Sequence, residues 1–307
     1  MSKRIFALGE TIYDIIFKDC KPVSSCPGGS VLNSAVSLGR CGLPVSFISE
    51  YGNDLTGKII DEFLKENNVN TEFVNRYSDG KTSMAMAFLD ELNNANYDFY
   101  KLYPSSRMNI NLPDFSKDDF LLFGSYFGID ENIRHLIVRI LDKARTAGCL
   151  IIYDPNFRKA HINELEKLKP SIIENIDYAD IIRASDEDMK LIFDVETPDD
   201  AFNILNNQDK ILIFTTGKNG VHLINNNKNK FFPVPEIQTV STIAAGDSFN
   251  SGIIYSIFKK EVAKNRIIQI GEEEWNEIIQ TGIDFATDVC MSYENYVSKE
   301  FVEKMIT

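Results

Sequence analysis

The sequence predicts an α/β chain, with a mostly parallel central sheet, helices on both of its faces, and a small antiparallel sheet attached. Two observations carry this. Short apolar runs alternate with longer amphipathic ones along most of the 307 residues, and strands separated by helices pair in parallel and are covered on both sides. One stretch breaks the alternation, with extended runs and no helix between them, which is hairpin patterning. No internal repeat, low-complexity linker or composition break divides the chain, so one domain spanning 1–307 is expected. At 44% hydrophobic residues the chain can build a sizeable core.

The elements follow in order. "RIFALG" (4–9) is a short buried strand. "TIYDIIF" (11–17) and "KPVSSC" (21–26) are extended. "SVLNSAVSLGRCG" (30–42) is a helix with Val31, Ala35 and Leu38 on one face and Gly42 as its stop. "VSFIS" is a strand, and "DLTGKIIDEFLKENN" a helix that Asp54 caps. "TSMAMAFLDELNNANYDFYKLY" (82–103) reads as two extended runs around an Asn-rich turn. With the extended pieces near the start it would form a lid, from about 11–27 and 82–103, over a substrate cleft. "FLLFG" is a strand. "DENIRHLIVRILDKARTAG" is a helix with Ile133, Ile137, Ile140 and Ala144 on one stripe. "CLIIYD", "ADIIRAS" and "KILIFTTG" are strands, and "INNNKNK" (224–230) is a hairpin turn between apolar runs.

Charge and cysteine content narrow the function. Asp and Glu number 45 against 32 Lys and Arg, a net charge of −13. That excludes general nucleic-acid binding, which needs a basic surface, but not a small anion in a local pocket. The opening has one short apolar run before Glu10, too short for a signal-peptide core. No run of about 18 apolar residues exists, so no membrane span is expected. Five widely spaced cysteines without a CxxC pair fit reduced thiols in a cytoplasmic protein. The three histidines, His135, His161 and His222, lack metal-ligand spacing and read as structural or surface residues.

Three motifs carry chemistry. In "TVSTIAAGDSFNSGIIYSIF" (239–258) a helix with Phe249, Ile253 and Ile257 on one face begins near Ala245. Its first N–H groups are free, small residues let a ligand approach, and the dipole favours an anion such as phosphate. Asp247 would sit beside that anion, where a carboxylate takes a proton from an attacking hydroxyl. An Asp in a first helical turn is equally explained by the dipole alone, and Ala-Gly by tight packing. In "CPGGSVLN", Gly28 and Gly29 lead into a helix with Asn33 one turn in. That suits hydroxyl recognition, or an ordinary glycine loop. In "YDPNFR", Asp154, Asn156 and Arg158 fall at the carboxyl end of a strand, where α/β sheets bind ligands, or else on a surface turn.

Together the three motifs resemble the ribokinase-like (PfkB) family of carbohydrate kinases, in "GGSVLN", in "STIAAGDSF", and in the order of helices and strands from about Ile5 to about Ser292. The resemblance implies a ribokinase-like fold. It implies an ATP-dependent kinase, with Mg²⁺, that transfers the γ-phosphate to a hydroxymethyl group of a small sugar. Asp247 aligns with the base, and Ala244, Ala245 and Gly246 with the anion hole. Asp14, Gly28, Gly29 and Asn33 align with sugar contacts. Asn156 and Arg158 resemble fructokinase-like and ketodeoxygluconate-kinase-like members. Thr216, Gly217 and Gly220 of "TTGKNG" would line the nucleotide, and the lid forms a dimer contact in many members.

Departures are equally specific. Ser241 replaces the aspartate that helps hold a monovalent cation, so weak or no K⁺ activation is expected. The family's N-x-x-E reads "SDED", with Ser185 near the nucleotide and Asp188 near magnesium through water. The adenine-pocket helix aligns loosely with "FATDVCMSYENYVS". Fructose is the first expected substrate and 2-keto-3-deoxygluconate the second. For the latter, Tyr100 and Lys101 would meet the carboxylate, Lys101 as a point charge. Ribose or a nucleoside follows, and a catalytically weak sugar-binding member is the reading from another class.

Overall fold

The structure, a computed structural model, describes residues 3–89, 95–205, 209–225 and 228–306. The Asn-rich turn expected at 90–94 and the centre of the turn at 226–227 lie outside these residues.

The chain opens with β1 (Ile5–Leu8), β2 (Ile12–Lys18) and β3 (Lys21–Gly28), then α1 (Ser30–Arg40), β4 (Val45–Gly52) and α2 (Leu55–Glu66). β5 (Val69–Asn70), β6 (Val74–Tyr77), β7 (Lys81–Leu89), β8 (Ala95–Leu102) and β9 (Phe120–Gly124) follow. Next come α3 (Arg134–Ala147), β10 (Leu150–Asp154), α4 (Leu165–Tyr178), β11 (Ile181–Ser185), α5 (Asp186–Phe193) and α6 (Pro198–Leu205). The chain closes with β12 (Ile211–Thr215), β13 (Val221–Asn225), β14 (Lys228–Phe232), α7 (Ala245–Lys259), α8 (Glu272–Cys290) and α9 (Lys299–Ile306).

The main sheet runs in the order β14-β13-β12-β11-β10-β9-β1-β4-β5, with β6 also paired to β4. It is parallel from β12 to β5, and β13 and β14 extend it as antiparallel strands. Strand alternation divides the core in two. Ile5 and Ala7 point to a layer with α1, α7 and α8, whereas Phe6 and Leu8 point to α3–α6. The stripe Ile133, Ile137, Ile140 and Ala144 is fully buried in the second layer, and Phe249, Ile253 and Ile257 are buried in the first. The side chain of Asp54 accepts from the Gly57 N–H, 2.8 Å away, and caps α2.

A second sheet, ordered β3-β2-β7-β8, is the lid expected from the broken rhythm. β2–β3 and β7–β8 are antiparallel hairpins, and the two join through a parallel pair, β2–β7. The parallel join follows from topology. β2 leaves the carboxyl end of β1, and β7 starts three residues after β6, which is parallel to β4 and hence to β1, so both strands leave the same end of the main sheet in the same direction. The lid therefore stands over the carboxyl ends of the parallel strands.

Candidate active site

The site forms where the first turn of α7 meets the carboxyl ends of β10–β12. In each strand, side-chain alternation selects the residues facing α7. Leu150 and Ile152 lie in the α7-side layer, so Asp154 faces that way, and by the same parity so do Arg183 and Thr215. The Arg183 guanidinium donates from Nη1 to Asp154 Oδ2 at 3.1 Å and from Nη2 to Thr215 Oγ1 at 2.6 Å. Asn250, one turn beyond Asp247, donates to the same Asp154 oxygen at 2.7 Å.

α7 begins at Ala245, as its sequence pattern predicts. Ala244 takes the left-handed conformation (φ 60°), uncommon for a residue with a Cβ. No side chain caps the first turn. The Ala245 N–H closes onto the Thr242 carbonyl at 3.3 Å, so the N–H groups of Gly246 and Asp247 are the open ones. Of the expected Ala244–Gly246 stretch, then, Gly246 offers a free N–H, and Asp247 offers a second.

Asp247 is buried, 7% exposed, and fixed by α1, which packs across α7. Ser30 Oγ donates to its Oδ1 at 2.5 Å and Asn33 Nδ2 to its Oδ2 at 2.9 Å. Ser34 Oγ and Ser251 Oγ both donate to its backbone carbonyl. Burial pushes the Asp247 carboxyl above the usual range, against the lowering effect of Ser30, Asn33, Arg158 and Arg183. Asn33 therefore holds Asp247 with its amide and keeps Oδ1 as a buried acceptor with no partner among the described residues.

The lid supplies the opposite wall. Burial and the neighbouring charge of Glu10 push Asp14, on β2, up to about 7. A Cβ at Gly28 would lie 2.1 Å from Asp14 Oδ2, and one at Gly29 (φ 125°) 2.2 Å from the Glu10 carbonyl. The paired glycines thus have an internal reason, the close passage of β2 and its approach past the start of α1. The loop after β10 is tied to the body by hydrogen bonds and bears on the lid through charge. The Asn156 N–H donates to Asp154 Oδ1 at 3.0 Å and its side chain to Ser125 Oγ at 2.9 Å, while exposed Arg158 acts electrostatically on both Asp247 and the lid's Tyr97.

The other expected residues make internal contacts of their own. Thr216 closes the turn after β12 onto the Gly220 carbonyl at 2.9 Å, through its N–H and its hydroxyl, with Gly217 and Gly220 both left-handed. Ser185 and Asp188 form the capping box of α5, and Asp188 Oδ1 also accepts from the Phe157 N–H at 2.6 Å. Lys101 pairs with Glu10 at 2.6 Å, Tyr103 donates to the same carboxylate at 3.0 Å, and Tyr100 is exposed. Ser241 Oγ accepts from the Ile243 N–H at 3.2 Å. Among the described residues no three His, Cys, Asp or Glu side chains cluster as a metal cage, and no helix is long and apolar enough to cross a membrane.

Sequence reasoning missed Ser30, Arg183 and Asn250. Arg183 left a signal, the one charged residue inside the apolar strand "IIRAS". Ser30 and Asn250 left none beyond their nearness to Asn33 and Asp247.

Comparison with known proteins agrees with this fold. A model described as pfkB family carbohydrate kinase matches residues 2–289. A fructokinase of Rhizobium leguminosarum bv. trifolii is 28% identical over 283 residues, covering 88% of this chain and 84% of that protein. Among solved structures, Vibrio cholerae O395 fructokinase in a fructose-, ADP- and calcium-bound form matches with a TM-score of 0.85 at 18% identity, covering 99% of each chain. Salmonella enterica aminoimidazole riboside kinase, complexed with aminoimidazole riboside and an ATP analogue, matches at 0.82 and 19% identity, covering 99% of this chain and all of that one. These two structural likenesses carry the fold.

Proposed function

The chain belongs to the pfkB family of carbohydrate kinases, and from that premise we propose that it transfers the γ-phosphate of ATP to a hydroxymethyl group of fructose. The observation that carries the reading is Asp247, buried between Ser30 and Asn33 at the uncapped start of α7. A sugar hydroxyl lies against the Asp247 carboxylate and gives up its proton there as its oxygen attacks phosphorus. The P–O bond to ADP breaks, and the Gly246 and Asp247 N–H groups hold the equatorial oxygens of the phosphoryl group in flight. Asp14, Asn33 Oδ1, Asn156 and Arg158 hold the remaining hydroxyls, and the lid keeps water from the phosphoryl group. Thr216, Gly217 and Gly220 follow the nucleotide, with Ser185 at its edge.

The proposed divalent ion is Mg²⁺. The donor set fits a metal that arrives on the nucleotide phosphates, since the described residues offer no cage of their own and Asp188, committed to its cap, would meet it through water. Bound there, it would neutralise phosphate charge.

Fructose is favoured over an acidic sugar because Lys101 is already neutralised by Glu10. The 28%-identical fructokinase supports the same choice. A cytoplasmic location and a homodimer through the lid are part of the proposal. β8 leaves Tyr97, Phe99, Tyr100 and Leu102 exposed on an edge strand, which suits a second copy.

The test is ADP release over a panel of fructose, 2-keto-3-deoxygluconate, ribose and nucleosides, with the wild type and Asp247→Asn. Fructose should give the highest kcat/KM, and Asp247→Asn should lose turnover by roughly 10²–10⁴-fold while binding both substrates. A mutant keeping a tenth of the wild-type kcat removes Asp247 from the chemistry. A preference for a nucleoside moves the substrate, and no turnover with any acceptor leaves a sugar-binding protein.

A further inference from the structure

Arg183 stands on an inner strand of the main sheet, yet its guanidinium reaches the chemistry. A Cβ on Gly246 would lie 2.6 Å from Arg183 Nη1 and 3.0 Å from Cζ, so the guanidinium is pressed against the backbone of the anion-hole turn. That contact is a second reason for glycine at 246, beside ligand approach. Asp154 and Thr215 hold the guanidinium from the two neighbouring strands, and its Nε is buried without a partner among the described residues. Such an orphaned donor is costly unless a ligand takes it up.

We propose that Arg183 is a positioning residue for phosphoryl transfer: clamped by Asp154 and Thr215, it braces the Gly246 turn and supplies the fixed positive charge beside Asp247. The proposal deepens the kinase reading and rests on it for the role of Asp247. Asp154 makes the brace specific. One of its oxygens receives Arg183 and Asn250, and the other receives the Asn156 N–H of the proposed sugar loop. One carboxylate thus ties the phosphoryl side of the site to the acceptor side.

The groups that bear on Asp247 come from four elements: Ser30 and Asn33 from α1, Arg158 from the loop after β10, Arg183 from β11, and the opposing charge of Asp154 from β10. Burial raises the Asp247 carboxyl, and the two arginines lower it. Removing the Arg183 charge therefore moves the Asp247 titration up. Removing the Asp154 charge leaves Arg183 uncompensated and moves it down. A merely structural role predicts neither sign.

The experiment follows the Asp247 carboxyl by carbon NMR in aspartate-labelled full-length protein, with Asp247→Asn assigning the signal. Arg183→Gln should shift the titration up, Arg183→Lys should shift it by less, and Asp154→Asn should shift it down. In the wild type and Arg183→Gln, the acid limb of kcat should move with the carboxyl, with the sugar KM within about threefold. Arg183→Lys should keep the limb but lose kcat, because an ammonium cannot span Asp154, Thr215 and Gly246 as a planar fork does. An unmoved Asp247 titration in folded Arg183→Gln overturns the proposal. Should that variant not fold, an unmoved or upward shift in Asp154→Asn overturns it instead. The titration needs no substrate, so a wild type that ignores every sugar would refute the kinase reading and still leave the brace decided by NMR.

Discussion

Ser30→Ala isolates one support of the proposed base. The Ser30 hydroxyl lies 2.5 Å from Asp247 Oδ1, a charge-assisted hydrogen bond to a buried carboxylate. Such bonds contribute about 1.5–3 kcal/mol, or about one to two pH units at 1.36 kcal/mol per unit. A water entering the space of the lost hydroxyl recovers part of this, so the expected shift is about one unit. The sign follows from the charge state that is stabilised. Burial already raises the Asp247 carboxyl, and Ser30 works against it, so the alanine lets it rise further. The active, ionised form then appears only at higher pH. The assay is kcat against pH from 5 to 9 with saturating ATP and sugar. The acid limb should move up by about one unit, while the alkaline plateau falls less than about fivefold. An acid limb that stays in place, in a folded variant, would show that Ser30 does not hold the base.

Asp14→Asn tests the lid carboxyl. Its value in the fold, about 7 against an ordinary 3.8, means that the ionised form is disfavoured there. Stability from this group is complete below about pH 4 and is lost as pH rises to about 7. The asparagine variant should therefore gain on the order of 2–3 kcal/mol more, relative to wild type, at pH 8 than at pH 5. Equal differences in urea melts at the two pH values refute this. At Gly252 a Cβ would lie 2.5 Å from the Thr281 carbonyl and 2.7 Å from Gly282 Cα, where α7 crosses α8. Gly252→Val should cost at least about 2 kcal/mol through forced separation of the helices, and an unchanged Tm would be the contrary result. K⁺ should raise the initial rate less than tenfold over tetramethylammonium at equal ionic strength, because the Ser241 hydroxyl is neutral and already bonded to its own turn. A tenfold rise, about 1.4 kcal/mol, would show a working cation site.

The order of strands and helices was legible because burial imposes periods of two and 3.6 on the sequence, as in the Ile133–Ala144 stripe and the Phe249–Ile257 face. The start of α7 was legible too, since small residues followed by an amphipathic run locate a helix N-terminus wherever they occur. The lid was visible as extended runs without helices, but its parallel β2–β7 join was not, because pairing between strands about 70 residues apart leaves no local mark.

The residues that hold Asp247, the proposed base, were the least legible. Ser30 and Asn33 meet it across 217 and 214 residues of chain, and only the packing of α1 on α7 brings them together. The internal contacts of Asn33, Gly28 and Gly29 were hidden for the same reason: the sequence offers them to a ligand, and the fold also commits them to Asp247, Asp14 and Glu10. Arg183 joins the site because the register of β10, β11 and β12 sets Asp154, Arg183 and Thr215 side by side. Periodicity fixes which face of a strand a residue occupies. Which residue stands next to it is fixed by the neighbouring strand, and that is settled only when the layers pack.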